Sequence, residues 1–238
     1  MAAKLIAIEG LDGSGKQTQT GLLRDALSAM GLSVATISFP CYGKPSAALL
    51  EDYLHGGFGK HAGDVNAYAA SSFFAMDRLV SYLKGWRADY ESSDVLIADR
   101  YTTSNAIHQC SKLPKERWGA FCDWLMDYEF NLLGLPKPDA VVYLRMNVET
   151  SQKLLAKRYD GDASKRDVHE RDLDYLHRSQ EAAEWCCEHL GWIPVECAER
   201  GELRERDDVH REISSRLGFA GVHSPEMTMN TVSDDKER

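Results

Sequence analysis

Apolar residues recur in two patterns along the chain. Short β-branched or aliphatic runs, Leu5 to Ile8, Val34 to Phe39, Val95 to Ala98, Ala140 to Leu144 and Ile193 to Val195, are separated by long stretches in which apolar positions return every three or four residues. The runs are continuous, without the polar–apolar alternation of a sheet with one wet face. Each therefore reads as a strand covered on both sides, and strands alternating with helices predict a parallel sheet. Leu22, Leu23, Ala26, Leu27 and Met30 mark the buried face of a first helix, and Ala69, Phe73, Met76, Leu79, Val80 and Leu83 that of a longer one. Further helices are predicted over Lys115 to Glu129, Val148 to Arg158, Asp172 to His189 and Arg206 to Leu217, with Asn147 as the N-cap of the second of these.

Two segments leave the pattern. Tyr159 to Arg171 is crowded with Asp, Lys, Arg and Glu and has almost nothing to bury, which predicts a mobile flap; the end after Phe219 is polar and aperiodic, which predicts disorder. The expected organisation is one domain over residues 1–218, with a lid at about 158–171 and a polar tail over 219–238. A chain of 238 residues with 43% hydrophobic content is long enough to bury a sizeable core.

Composition then removes several function classes. A net charge of −9 argues against a protein that coats nucleic acid, because duplex binding needs a broad basic face. No apolar run approaches the roughly 18 residues of a membrane span, and the first residues lack the basic, apolar and small-residue pattern expected of a signal peptide. The six cysteines show no metal-ligand spacing and read as free thiols, with the vicinal Cys186 and Cys187 as one buried and one half-buried side chain. A reducing cytoplasm suits that reading.

Candidate chemistry begins directly after the first strand. Gly10-Leu11-Asp12-Gly13-Ser14-Gly15-Lys16-Gln17-Thr18 is a glycine-rich turn opening a helix. Such a turn points backbone N–H groups at a polyphosphate, and Lys16 adds a mobile cation, so the expected ligand is a nucleoside triphosphate. Gln17 stands where a Mg²⁺-binding hydroxyl is usual; its amide oxygen, or a water it holds, is the substitute expected there. At the end of the third strand come Asp99, Arg100 and Tyr101, then Ser104, Asn105, His108 and Gln109. Asp99 is placed to hold a metal-bound water or a lysine and Arg100 to bridge phosphates, unless the two merely pair with each other at a strand end. Phe39-Pro40-Cys41-Tyr42-Gly43 forms a stiff turn on the same edge. Phe74 and Arg78 are i, i+4 neighbours: an aromatic plate one turn from a guanidinium, suited to a base and its phosphate. Core packing for Phe74 and a surface ion pair for Arg78 remain open from the pattern alone.

The set IAIEGLDGSGKQTQ, FPCYG, FFAMDR, ADRYTTSNAIHQ and PDAVVYLRM, in this order and spacing, resembles the thymidylate kinases, a family of P-loop nucleoside monophosphate kinases, over about Lys4 to Leu217. The resemblance implies a three-layer α/β P-loop fold with a five-stranded parallel sheet flanked by helices and a mobile lid. It implies phosphorylation of dTMP to dTDP with Mg-ATP, a step toward dTTP, by a cytoplasmic homodimer. It assigns ATP binding to Gly10 through Thr18, with Asp12 positioning the acceptor, Phe74 stacking on thymine, and Arg78 and Gln109 at its edge with Asn105 close by. Arg100 would bridge the two phosphates, Pro40, Tyr42, Ser104 and His108 would border the acceptor, and Asp12, Gln17 and Asp99 would face the metal. In this family a basic residue comes from the phosphate loop or the lid; the loop here carries no arginine, so the lid must supply the basic residue, with Arg158, Lys165, Arg166 and Arg171 as the candidates. Cys197 to Leu203 sits where related kinases hold adenine.

Gln17, Cys41 and His108 depart from the family pattern. Arg often stands at the position of Cys41, and Tyr at that of His108, where it crowds out a ribose 2′-hydroxyl; selectivity mostly for dTMP, with dUMP weaker, is the expectation. A P-loop kinase for another nucleotide or deoxynucleoside, and a nucleotide-dependent switch without transfer, are the rival readings.

Overall fold

The computed structural model describes residues 2–158, 173–199 and 201–219 of the chain; the predicted flap and the polar tail lie outside the described residues, as does the side chain of Arg158. In chain order the elements are β1 (Lys4–Gly10), α1 (Lys16–Ala29), β2 (Val34–Ser38), α2 (Ala48–Leu54), α3 (Ala67–Ser81), α4 (Arg87–Ser92), β3 (Val95–Asp99), α5 (Thr102–Cys110), α6 (Trp118–Met126), β4 (Ala140–Arg145), α7 (Val148–Arg158), α8 (Leu173–Leu190), β5 (Ile193–Glu196), the short pair β6 (Ala198–Glu199) and β7 (Glu202–Leu203), and α9 (Arg206–Arg216).

Five strands form one parallel sheet in the order β2-β3-β1-β4-β5. All five predicted strands are present. The reason their sequences lack alternation is visible in β1: Ile6 and Ile8 enter the core on one face with Leu23, Leu27 and Ile213, while Leu5 and Ala7 enter the core on the other with Leu96, Trp86 and Tyr101. A further cluster joins Tyr143 of β4 to Phe121, Ala182 and Cys186. With β1 central and the sheet parallel, the register sets Ile8 beside Asp99 and Gly10 beside Leu144, so the phosphate loop and the end of β3 emerge at one edge. That carboxyl edge is where open α/β sheets hold ligands.

The helices follow the periodicity with instructive exceptions. Asn66 caps α3 by accepting from the Ala69 N–H at 3.0 Å, and Asn147 does the same for Thr150 at 2.8 Å. The long helix after Asn66 is not uniform: a π-helical turn, Tyr82–Trp86, joins α3 to α4. Likewise the predicted helix from Lys115 begins as a 3₁₀ turn, continues as α6 and ends in a π-helical turn, Asp127–Leu132. Helices α2 and α5 were not expected from the pattern. Cys186 is buried and Cys187 half-buried, and all six cysteines are free. No helix among the described residues is long and apolar enough to cross a membrane.

Candidate active site

The phosphate loop is shaped by close approach. A Cβ on Gly10, where φ is 157°, would strike Ser14 Oγ and sit 3.0 Å from the Leu144 carbonyl. Gly13 and Gly15 also hold positive φ, at 82° and 90°, which lets the chain turn tightly into α1. Lys16 folds back over this turn: its Nζ donates to the carbonyls of Gly10 (3.0 Å) and Leu11 (2.9 Å), lies 3.5 Å from Asp12, and the residue is 8% exposed. Burial, and then the charge of Arg100, hold this ammonium below its ordinary pKa.

A cleft of about 760 Å³ opens beside the loop, lined among others by Asp12, Lys16, Gln17, Thr18, Asp99 and Arg100. Arg100 is the one non-glycine residue with positive φ among the described residues, at 67°. Backbone strain of this kind persists where the surroundings fix it. Here the Arg100 N–H donates to the Ile8 carbonyl at 3.0 Å, its Nη2 is paired with Asp12, and its Nη1 lies 3.3 Å from Ser104 Oγ and 3.4 Å from His108 Nε2. Burial would raise the Asp12 carboxyl, but Arg100 and Lys16 pull it well below the usual carboxylate range. Asp99 and Arg100 are thus not simply paired with each other: Arg100 reaches across to Asp12 of the phosphate loop.

Deeper in, two buried carboxylates hold α5. Glu9, fully buried at the end of β1, accepts from the Tyr101 N–H (3.0 Å), Thr103 Oγ1 (2.6 Å) and Ser104 Oγ (2.8 Å), and its burial raises its pKa against the pull of Arg100. Glu129, also fully buried, accepts a fork from Arg78, Nε at 2.7 Å and Nη2 at 2.6 Å, together with Thr102 Oγ1 at 2.7 Å and Asn105 Nδ2 at 3.4 Å. Arg78 is 1% exposed, so its ion pair is internal and not on the surface. Phe74, one turn earlier on α3, is half-buried and meets Tyr53 edge-on with centroids 6.3 Å apart. Gln109, one turn beyond Asn105 on α5, is fully buried and neither amide atom has a hydrogen-bond partner. Buried polar atoms without partners are uncommon enough to require an account.

The remaining residues border this arrangement. Pro40 follows a cis peptide after Phe39, the Cys41 N–H donates to Asp77 Oδ2 at 2.8 Å, and Tyr42 is 60% exposed. His108 lies nearly parallel to Tyr175, centroids 6.1 Å apart. A smaller hollow of about 160 Å³ is lined by Gly15, Met146, Leu154, Cys197, Leu203 and Arg204, and includes both ends of the segment expected near adenine. Arg158 ends α7, while Lys165, Arg166 and Arg171 lie outside the described residues. Glu9 and Glu129 had not been singled out. A lone carboxylate between the apolar run of β1 and the phosphate loop was a signal for Glu9; the sequence holds none for Glu129.

The donor set bears on the metal. No group of three or more His, Cys, Asp or Glu side chains among the described residues is arranged as a metal cage. Asp12, Asp99 and Gln17 share the cleft wall with the phosphate loop. That set of hard oxygen donors fits Mg²⁺, which is held by one or two carboxylates together with substrate phosphates.

A phosphate loop at the edge of a parallel sheet, facing a strand-end Asp-Arg pair, defines a P-loop nucleotide-binding protein of the α/β class. Residues 8–213 match the family model described as thymidylate kinase. The chain belongs to the thymidylate kinase family. It is 40% identical over 179 residues to the thymidylate kinase of Mycobacterium tuberculosis (strain H37Rv), an alignment covering 74% of this chain and 81% of that protein. It is 30% identical over 186 residues to the thymidylate kinase of Homo sapiens, covering 75% and 78%. In fold it resembles the thymidylate kinase structure from Candida albicans, with a TM-score of 0.64, 21% identity and coverage of 91% and 92%. The structure from Ehrlichia chaffeensis aligns with a TM-score of 0.62 at 18% identity, covering 91% and 100%. Family membership decides for a transferase over a nucleotide-dependent switch.

Proposed function

We propose that this chain transfers the γ-phosphoryl group of Mg-ATP to the 5′-phosphate of dTMP, yielding dTDP and ADP. The family supplies the reaction, a dTMP kinase; the residues supply a division of labour. Lys16 and the loop N–H groups hold the donor phosphates, Lys16 exchanging its carbonyl partners for phosphate oxygens. Arg100 neutralises charge where the two phosphates meet, once Asp12 releases it. Asp12, Asp99 and Gln17, together with the nucleotide phosphates, would hold Mg²⁺, which would supply further neutralisation of phosphate charge. Transfer of this kind needs positioning and charge compensation more than covalent chemistry. Arg158 and Arg166 are proposed to bring further positive charge from the lid, excluding water from the transfer.

The observation that carries the acceptor assignment is the buried Arg78–Glu129 pair beside the unpartnered Gln109 amide. A guanidinium already neutralised by a carboxylate is poorly suited to a phosphate dianion, yet its remaining N–H groups suit an uncharged carbonyl. Gln109 offers one donor and one acceptor, the complement of an imide edge such as thymine presents, and Phe74 supports the reading as a stacking plate. The acceptor phosphate then falls to Arg100. Residues 1–218 are proposed as one catalytic unit. Exposed Leu83 (62%) and Leu132 (71%), each in a π-helical turn, support a homodimer, and the free thiols a cytoplasmic setting. The test is coupled ADP release across dTMP, dUMP, UMP, dCMP, dGMP, AMP and thymidine. Fast turnover with dTMP and slower turnover with dUMP are expected; a preference for another acceptor, or none above background, would overturn the assignment.

A further inference from the structure

Glu129 is not among the residues lining the phosphate cleft, yet four donors from three side chains converge on it. Both carboxylate oxygens are committed. One takes Arg78 Nε and Thr102 Oγ1, the other Arg78 Nη2 and, more loosely, Asn105 Nδ2. Arg78 in turn is left with a long contact of 3.5 Å from Nη1 to the Tyr101 carbonyl. Of its five N–H groups, Glu129 therefore fixes the Nε–H and one on Nη2, and the fork sets the plane and direction of the others. Asn105 also donates to the Ser71 carbonyl at 3.3 Å, tying α5 to α3 at the same point. Glu129 lies inside the π-helical turn Asp127–Leu132, a local widening of a helix that recurs at functional sites.

We propose that Glu129 is the positioning residue that sets selectivity for the acceptor base, holding Arg78 in one orientation and joining it to Asn105 and the start of α5. This rests on the dTMP reading above. A buried arginine without a partner has many rotamers and an uncompensated charge; the fork fixes the rotamer and compensates the charge. It leaves a flat, net-neutral set of donors that meets a carbonyl on the base and rejects an amino group at that position, because two donors would then face each other. Thr102 acts as a brace, since its hydroxyl holds the oxygen that takes Arg78 Nε.

A double-mutant cycle of Glu129→Gln and Arg78→Met tests this, read as separate KM values for dTMP and ATP and as the ratio of kcat/KM between dTMP and dCMP. Glu129→Gln is expected to raise KM for dTMP about ten- to hundredfold, the cost of a small misplacement, to lower the dTMP:dCMP ratio, and to leave KM for ATP unchanged. Glu129→Asp should recover part of the loss. In the Arg78→Met background Glu129→Gln should have no further effect on KM for dTMP. Additive losses, an unchanged base ratio, or an equal rise in KM for ATP would overturn the proposal. Should Glu129→Gln fail to fold by circular dichroism, Thr102→Val gives the reading: a severalfold rise in KM for dTMP alone supports it, and no change overturns it. If the wild type prefers a different nucleotide, the dTMP reading fails, while the same cycle run with that nucleotide still tests Glu129.

Discussion

Two arginine–carboxylate pairs lie on either side of α5, and they behave oppositely. Arg100 and Asp12 meet at the cleft wall, with the Asp12 side chain 33% exposed and the Arg100 backbone in the left-handed region. Arg78 and Glu129 meet where neither side chain is more than 2% exposed. An accessible pair can trade its partner for a phosphate oxygen, because water and incoming charge compensate the exchange. A dry pair cannot, since either partner left alone would be a buried unpaired charge. In the proposed division of labour the accessible pair serves the step in which charge moves, and the buried one serves recognition, in which geometry must stay fixed.

The largest expected effect separates the two pairs by stability. Glu129→Ala strands a guanidinium in the interior and should cost about 3–5 kcal/mol in urea unfolding. Asp12→Ala should cost no more than about 1 kcal/mol, because its pair is partly solvated. Equal costs would break the comparison. Next in size, Phe74→Leu removes the stacking plate on the recognition side. A loss of about 1–3 kcal/mol per stacked base should appear as a higher KM for dTMP with KM for ATP unchanged.

A third cation sharpens the contrast because it has no carboxylate among the described residues. Lys112 Nζ donates to Tyr53 Oη at 2.8 Å and to the Val65 carbonyl at 3.2 Å, and burial lowers its pKa to about 7. The unfolded chain keeps this proton up to its ordinary value of 10.5. Between those values the unfolded state binds one proton more, so this site's contribution to stability rises with pH; below them both states are protonated and the full burial penalty remains. Lys112→Met lacks that rise. The Tm of the wild type minus that of the variant should therefore climb as pH increases from 7 toward 10; a flat difference would mean that Lys112 titrates as an exposed lysine.

What could be read from the chain alone divides along the same line. The five strands, the phosphate loop and the capping Asn147 were legible because each rests on local pattern: apolar runs, glycine where a Cβ collides, a side-chain oxygen before a helix. Helix α5 was not, because its interior is polar. Thr102, Thr103, Ser104 and Asn105 are all buried, and they are held by Glu9 and Glu129, which are distant in sequence. No periodicity of apolar residues announces a helix whose buried face is satisfied by carboxylates. The partner of Arg78 escaped for the same reason, being 51 residues away. Arg78 itself was visible as a functional candidate, but its burial was not, and it is on that burial that the proposal of a base as its partner, in place of a phosphate, rests.

The most direct test sets Arg100→Met beside Arg78→Met and measures kcat and KM for dTMP in each. The account predicts that Arg100→Met lowers kcat by about a thousandfold, on the scale of an arginine that stabilises phosphoryl transfer, with a smaller change in KM. Arg78→Met should instead act mainly through KM for dTMP and the choice of base. If both variants lose kcat alike, or if Arg78→Met leaves KM for dTMP untouched, the division between an exchangeable pair for chemistry and a fixed pair for recognition is wrong.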